Sequence, residues 1–436
     1  MARRKINRHV TREPSNSQED RDKSASVDSG LGGSVCDEQE DQIRATTKIA
    51  EEPEIVPECA AESDDYYKSA IGEVFNCQYQ AIYELGAGSY GKVLLCWKLH
   101  PDENPQSRFI ALKIGRANLS LDEEVQILKK TTSLQCENLL MYIDDLTHYH
   151  DNNLYQCIAT EACLQDLLSR MNTEERFSIQ KAKNLAHQLL SGLNALHKND
   201  LVHLDIKPDN LMLSKRDRTS HEYELCDVSI SILESIVELS SNYDPTSSEE
   251  VLKIGDLSNA FHKNARNATA PTQGYKSPQN LLGDKTARTS VDIYSAGCTI
   301  FEMVTGVTIF NTDADTPSHE TDKENLRIMS QYFGNFGHQS PNTTKSPYMN
   351  DPDIMNAERK CLARRLHKEH GLPENEACQC AEFLKLMMAN NSRSRRGAAK
   401  LLEHEWLKAD VPKRKRKLTS DPGACSMPAG KRPMND

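Results

Sequence analysis

Residues 203–210 read His-Leu-Asp-Ile-Lys-Pro-Asp-Asn, which places a carboxylate, an ammonium group and a carboxamide at Asp205, Lys207 and Asn210. Polar chemistry packed this tightly belongs on a loop held by a rigid frame. There, a carboxylate can accept a proton, a cation can balance anionic oxygens, and an amide oxygen can hold a metal ion. The patterning on either side of the octet predicts the frame. Upstream, apolar residues recur every second position over 80–85, 92–97 and 108–114, the period of three antiparallel strands. A helix is expected over 120–132, where Val125, Ile127 and Leu128 form a stripe, and two more strands near 139–147 and 154–160. From Ile179 the period becomes helical, with Ala182, Leu185, Leu189, Leu193 and Leu196 on one face over 179–198.

The chain has 436 residues, 37% hydrophobic and 27% charged, so a core is possible but part of the chain must be poor in apolar groups. Residues 1–77 are acidic and Ser-rich with few aromatics, and 408–436 are basic without periodicity; both read as disordered. Between them, 78–407 reads as the globular region. It is interrupted by a Ser/Glu-rich insert at 215–250 with a short apolar middle, and by an irregular Asn/Thr/Ser/Pro stretch at 311–352. The net charge of −11 argues against direct nucleic-acid binding by the whole molecule. Thirteen cysteines, most in apolar segments, suit reduced core thiols better than a disulfide framework. Cys378 and Cys380 have no matching second pair for a zinc site. The polar N-terminus is unlike a secretory signal. The longest apolar stretch, 293–310, contains Glu302 and Gly306 and reads as a buried helix, not a membrane span.

Further segments stand in order around the octet. Gly86-Ala-Gly88-Ser-Tyr-Gly91-Lys-Val93, preceded by Leu85, links two expected strands instead of opening a helix, which disfavours a dinucleotide loop. Its glycines let backbone amides approach phosphate oxygens. Ile110-Ala-Leu-Lys113 ends an apolar strand on a cation that must find a partner or reach solvent. Glu124, with Glu123 as rival, opens the helical stripe that follows. Thr160-Glu161-Ala162-Cys163 closes the last strand. Downstream come Lys253-Ile-Gly-Asp256-Leu-Ser258, Thr272-Gln-Gly-Tyr275-Lys-Ser-Pro-Gln279, Asp292-Ile-Tyr-Ser-Ala-Gly297 and Arg395.

In this order and spacing the segments resemble the eukaryotic protein kinase superfamily over residues 83–407. The octet is similar to its H-R-D-x-K-x-x-N loop, and the later segments to D-F-G, A-P-E and D-x-W-S-x-G. The resemblance implies an α+β, bilobal fold, with a small antiparallel sheet plus one helix leading into a mainly helical lobe. It implies transfer of the γ-phosphoryl of ATP, with Mg2+, to serine or threonine of protein substrates. Asp205 would accept the hydroxyl proton and Lys207 would balance γ-phosphate charge. Asn210 and Asp256 would hold metal, and Lys113 and Glu124 would clamp the nucleotide. Leu85, Gly86, Gly88, Gly91 and Val93 would cover it, while backbone groups at Glu161 and Cys163, beside gatekeeper Thr160, would bond adenine.

Leu204, Leu257-Ser258 and Gln279 depart from the family pattern. Leu204 replaces the arginine that an activation-segment phosphate neutralises, so no such phosphate should be needed. Ser258 should stiffen the turn after Asp256, and Gln279 should bond Arg395 more weakly than glutamate would. The octet without arginine, the insert and the Lys253-Ile-Gly-Asp256-Leu run are similar to Wee-type cell-cycle kinases, some of which act on tyrosine; the Thr272–Gln279 ending is not. A catalytically weak pseudokinase scaffold is the rival from another class, and a small-molecule kinase is disfavoured by that same ending. In the tails, Pro412-Lys-Arg-Lys-Arg-Lys417 resembles a nuclear import signal read by a carrier, which implies a nuclear protein able to shuttle. Asp28-Ser29-Gly-Leu-Gly-Gly-Ser34 resembles a phosphodegron read by a ubiquitin ligase.

Overall fold

The computed structural model describes residues 67–408, apart from 69–70, 89–90, 101–108, 164, 175, 216–249 and 311–315. Between 335 and 345 it describes only 336 and 343. The expected features at 1–66, the body of the insert, Ser29, Ser34 and 412–417 lie outside the described residues.

The period-two segments form one antiparallel sheet. Strands β1 (Val74–Phe75), β2 (Tyr79–Gly88), β3 (Gly91–Lys98), β4 (Phe109–Gly115), β5 (Tyr142–His150) and β6 (Asn153–Glu161) pair in the order β1-β2-β3-β4-β6-β5. Alternation along β3 and β4 sends Leu94, Cys96, Ile110, Leu112 and Ile114 into a core shared with Tyr155, Cys157 and Ala159. Helix α1 (Asp122–Ser133) packs beside the sheet, with three acidic residues in its first turn to suit the helix dipole.

The second lobe is mainly helical. After β7 (Gln165–Asp166) and α2 (Leu167–Glu174), α3 runs Ile179–Lys198, the bounds its stripe predicts. Ser178 caps it, its hydroxyl accepting from the Lys181 amide at 3.2 Å, and His197 and Lys198 occupy its last turn. The five residues of the predicted stripe are buried. Against α3 lies helix Thr289–Thr305, buried along nearly its whole length, and helix Glu374–Met388 packs in turn on Thr289–Thr305. This is the apolar stretch expected to be a buried helix, and among the described residues no helix is long and apolar enough to cross a membrane. Between the lobes, β8 (Leu201–Val202), β9 (Leu211–Lys215), β10 (Glu250–Ile254) and β11 (Phe261–His262) form two small sheets: β10-β9-β7 and β11-β8. The octet is the loop between β8 and β9.

Two expectations need correction. The ordered lobe begins before residue 78: Tyr67 and Phe75 are fully buried against the sheet, their ring centroids 5.8 Å apart. Acidic composition hid two aromatic anchors whose partners are far away in sequence. The stretch 311–352 also contains regular structure, helix Ser318–Phe333 and a 3-10 turn at Pro347–Asn350. That helix buries only a thin stripe, including Leu326, Met329 and Phe333, among many polar residues.

Replacing Tyr67 by Ala should cost about 3 kcal/mol, the scale for removing a buried aromatic. Chemical denaturation measures this; a loss below about 1 kcal/mol, the scale of a surface substitution, would mean the segment is not part of the folded lobe.

Candidate active site

The octet is held from below by one carboxylate. Asp292, fully buried in helix Thr289–Thr305, accepts from the His203 amide at 2.8 Å and the Leu204 amide at 2.8 Å. His197 Nε2 lies 2.8 Å from its Oδ2. These bonds fix a strained backbone, because Leu204 sits at φ +67, where a side chain costs about 1–2 kcal/mol. The strained turn sends Leu204 down into an apolar cluster with Val202, Ala268, Ala287 and Val291, packed by Phe261 and Ala265. Where the family pattern has a cation, this loop is joined to residues 261–268 by apolar contact.

Above that floor the polar side chains converge. Asp205 Oδ1 accepts from the Thr272 amide at 3.0 Å and the Thr272 hydroxyl at 2.7 Å. Lys207 Nζ reaches Asp205 Oδ2 at 3.2 Å and donates to Thr272 Oγ1 at 2.9 Å. Asn210 Nδ2 donates to the Asp205 carbonyl at 2.8 Å and to Asp205 Oδ2 at 3.0 Å, which leaves its Oδ1 as the ligand atom. Octet and Asp256 are joined through the backbone: Gly255 N donates to Asn210 O at 2.9 Å, and His203 Nε2 lies 2.8 Å from Gly255 O.

Lys113 closes the constellation from the sheet. Its Nζ donates to Glu124 Oε1 and Oε2 at 2.7 and 2.8 Å and to Asp256 Oδ1 at 3.3 Å. Of the two candidate partners, Glu124 is the one in place, in the first turn of α1. Burial opposes the Lys113 charge, but the two carboxylates outweigh it and raise its pKa. Burial likewise works against the Asp256 carboxylate, yet Lys113, the Ser258 hydroxyl and His203 hold its pKa below the ordinary value. Two adjacent groups are thus kept charged, as binding of phosphate and a divalent cation requires.

The Gly86–Val93 segment is the β2–β3 hairpin, with Gly86 opposite Val93 and Gly88 opposite Gly91. Gly91 has φ +148, and a Cβ there would fall 1.9 Å from the Ile114 carbonyl oxygen, so only glycine lets the hairpin lie on β4. Leu85 packs with Ile82, Leu95 and Ala162, beside the strand end that carries Glu161 and Cys163. The Glu161 side chain is engaged with Lys253 Nζ at 2.9 Å and the Met141 amide at 2.8 Å.

Sequence reading missed two contacts. Ser258 is more than a stiffer residue: its hydroxyl donates to Asp256 Oδ1 at 2.7 Å and ties down the side chain of a residue whose backbone lies at φ +49. Gln279 is also not simply a weaker glutamate. Its Oε1 accepts from Arg395 Nη2 at 2.5 Å while its Nε2 donates to the Asn390 carbonyl at 2.7 Å. A carboxylate would turn a second oxygen toward that carbonyl, so the amide fits both partners. Arg395 is otherwise held by the carbonyls of Ala389 and Ser290 and by the Tyr294 ring face, 4.8 Å away. The Gln279 bridge gave no signal in the sequence because its carbonyl partner lies 111 residues away, whereas the Asp256–Ser258 spacing is local and could have been read as a side-chain pair.

A protein kinase domain model matches residues 79–407. Serine/threonine-protein kinase SRPK of Physarum polycephalum is 24% identical over 390 residues, 80% of this chain and 89% of that protein. Dual specificity protein kinase CLK4 of Mus musculus is 25% identical over 285 residues, 64% of this chain and 54% of that protein. Serine/threonine-protein kinase AFC1 of Arabidopsis thaliana is 26% identical over 287 residues, 63% of this chain and 56% of that protein. The chain thus spans about half of several relatives, and 31% of clkA of Dictyostelium discoideum. The Wee-type likeness gains no support from these relatives.

Gln279→Ala leaves a buried guanidinium N–H and a carbonyl without their partner. It should cost about 2–4 kcal/mol, read as a fall in denaturation midpoint with an unchanged slope. A change within about 0.5 kcal/mol, typical of uninvolved positions, would show that the bridge contributes nothing.

Proposed function

Because the chain belongs to the protein kinase domain family, we propose that it is an ATP-dependent protein kinase of serine/threonine or dual-specificity type, acting on hydroxyl groups of protein substrates. The observation that carries this reading is the convergence of Lys113, Glu124, Asp205, Lys207, Asn210 and Asp256 on one cleft, each with a partner that fixes its charge or orientation. The three departures remove none of these groups, which weighs against a scaffold without activity.

The residues also fit the ligands the reaction needs. A glycine hairpin with room for phosphate oxygens, a lysine kept charged, and oxygen atoms on Asn210 and Asp256 suit a nucleotide triphosphate with Mg2+. Bound metal would neutralise phosphate charge during transfer. In the reaction, Asp205 orients the substrate hydroxyl and takes its proton. Lys207, already against Asp205 and Thr272, balances charge growing on the transferred group. Lys113, braced by Glu124, grips the phosphates. Positioning and electrostatics, not covalent catalysis, supply most of the rate.

Regulation follows from Leu204. The apolar cluster beneath the octet holds Ala268 and its neighbours in place without a phosphate, so the activation segment is set by packing. Tyr275 is an unsuitable switch in this state, because its hydroxyl is buried and donates to Glu302 Oε2 at 2.5 Å. Control then falls to other parts of the chain. The basic run at 412–417 supports nuclear import by a carrier, and Ser29 and Ser34 support turnover through a ubiquitin ligase. A nuclear, cell-cycle role is the setting these motifs favour.

Asp205→Asn should lower phosphoryl transfer to a peptide substrate at least about 10³-fold, while ATP affinity, read by calorimetry, stays within about threefold. Retained transfer would remove Asp205 from the reaction and with it this mechanism.

A further inference from the structure

Among the described residues outside the active site, a cluster of three metal-ligating side chains is built from two segments of the small lobe. His148 and His150 lie two apart on β5, so they share a face of the strand, while Tyr149 between them is 68% exposed. Glu73 precedes β1, at the opposite edge of the six-stranded sheet. The sheet curls until these edges meet. The Phe75 ring lies 4.7 Å from that of His148, and the Tyr79 hydroxyl donates to Asp144 on β5 at 3.1 Å.

We propose that Glu73, His148 and His150 bind a divalent transition ion of the Zn2+ class, which clasps the two edges of the sheet. Glu73 Oε1 is 3.3 Å from His148 Nε2 and 3.8 Å from His150 Nδ1, and the three ligand atoms lie within 4.8 Å of one another. Bonds of about 2.0–2.1 Å at tetrahedral angles would bring neighbouring ligand atoms to roughly 3.3 Å, so small side-chain adjustments complete the site. Two imidazoles and a carboxylate select a borderline ion over Mg2+ or Ca2+, which prefer oxygen ligands.

The surroundings support a built site. Asp151, in the β5–β6 turn, places Oδ2 3.4 Å from His150 Nε2. A carboxylate there takes the N–H of that nitrogen and leaves Nδ1 as the lone-pair donor facing Glu73, an arrangement common behind metal-bound histidines. The Glu73 backbone is fixed, since its carbonyl accepts from Ala81 N at 2.8 Å. The buried Tyr67 covers both imidazoles edge-on, and its hydroxyl, 3.0 Å from the metal-binding nitrogen His148 Nε2, gives up that contact when the ion binds. The three ligands keep side-chain exposures of 19%, 17% and 35%, enough for an ion to enter and for water to take the fourth position. Metal would thereby fasten Glu73 and the start of β1 to β5.

The test uses the full chain, stripped of metal and kept reduced, titrated calorimetrically with ZnCl2 alone near neutral pH. Its cysteines offer possible background sites, so the decisive comparison is with variants. The wild-type protein should bind one equivalent more than Glu73→Gln and His150→Gln, and that equivalent should persist in excess Mg2+. Asp151→Asn changes an exposed side chain and should keep the equivalent but weaken it about tenfold, the scale of an orienting partner. Thermal unfolding in chelator should be alike for all four proteins, while added Zn2+ should raise the midpoint of the wild type above that of the ligand variants. Equal stoichiometry and affinity in wild type, Glu73→Gln and His150→Gln would overturn the proposal, as would no binding to the wild type.

Discussion

One buried carboxylate sets the geometry on which the rest depends. Asp292 has no exposure to solvent and accepts two amide hydrogens from consecutive residues of the loop above it. An uncompensated charge at such depth would be very unfavourable, so the loop amides and His197 must stay where they are. That requirement forces Leu204 into a left-handed conformation and points its side chain away from the cleft. The polar side chains of the next six residues are left to face the ligands. The strain at Leu204 persists because hydrogen bonds and packing over-determine it.

Two of the departures from the family pattern, Leu204 and Gln279, put an uncharged side chain where the pattern has a charged one, and the third, Ser258, adds a hydroxyl. Leu204 exchanges a cation awaiting a phosphate for an apolar cluster shared with residues 261–268. Gln279 exchanges one ion pair for two hydrogen bonds that join Arg395 to the Asn390 carbonyl. Ser258 exchanges a free pivot for a hydroxyl tied to the Asp256 carboxylate, and Leu257 beside it is buried with Leu121, Leu128 and Ile158. None of the exchanges alters Lys113, Glu124, Asp205, Lys207, Asn210 or Asp256.

Much of this was legible in the sequence where physics is local. The stripe over 179–198 is long, strongly periodic and bounded by a serine cap, and the helix has those bounds. Alternation over 92–97 and 108–114 marked β3 and β4 because one face of each is core. The order of motifs also named the side chains that the fold brings to one cleft. What was not legible depended on distant partners. Tyr67 and Phe75 sit in acidic surroundings, and only the far side of the sheet reveals their burial. Helix Ser318–Phe333 buries too few apolar residues for its period to stand out. The role of Gln279 depends on a carbonyl 111 residues away, while that of Ser258, two residues from its carboxylate, was local and was overlooked.

On the proposed reading, Asp292 and the Leu204 cluster assemble this site without a phosphate. The most direct test is the initial rate of phosphoryl transfer to a peptide by protein freed of phosphate, its state confirmed by intact mass. The expected rate is within about twofold of that of the untreated enzyme, since no step of assembly uses a phosphate. A loss of about tenfold or more, restored by rephosphorylation of the activation segment, would contradict it.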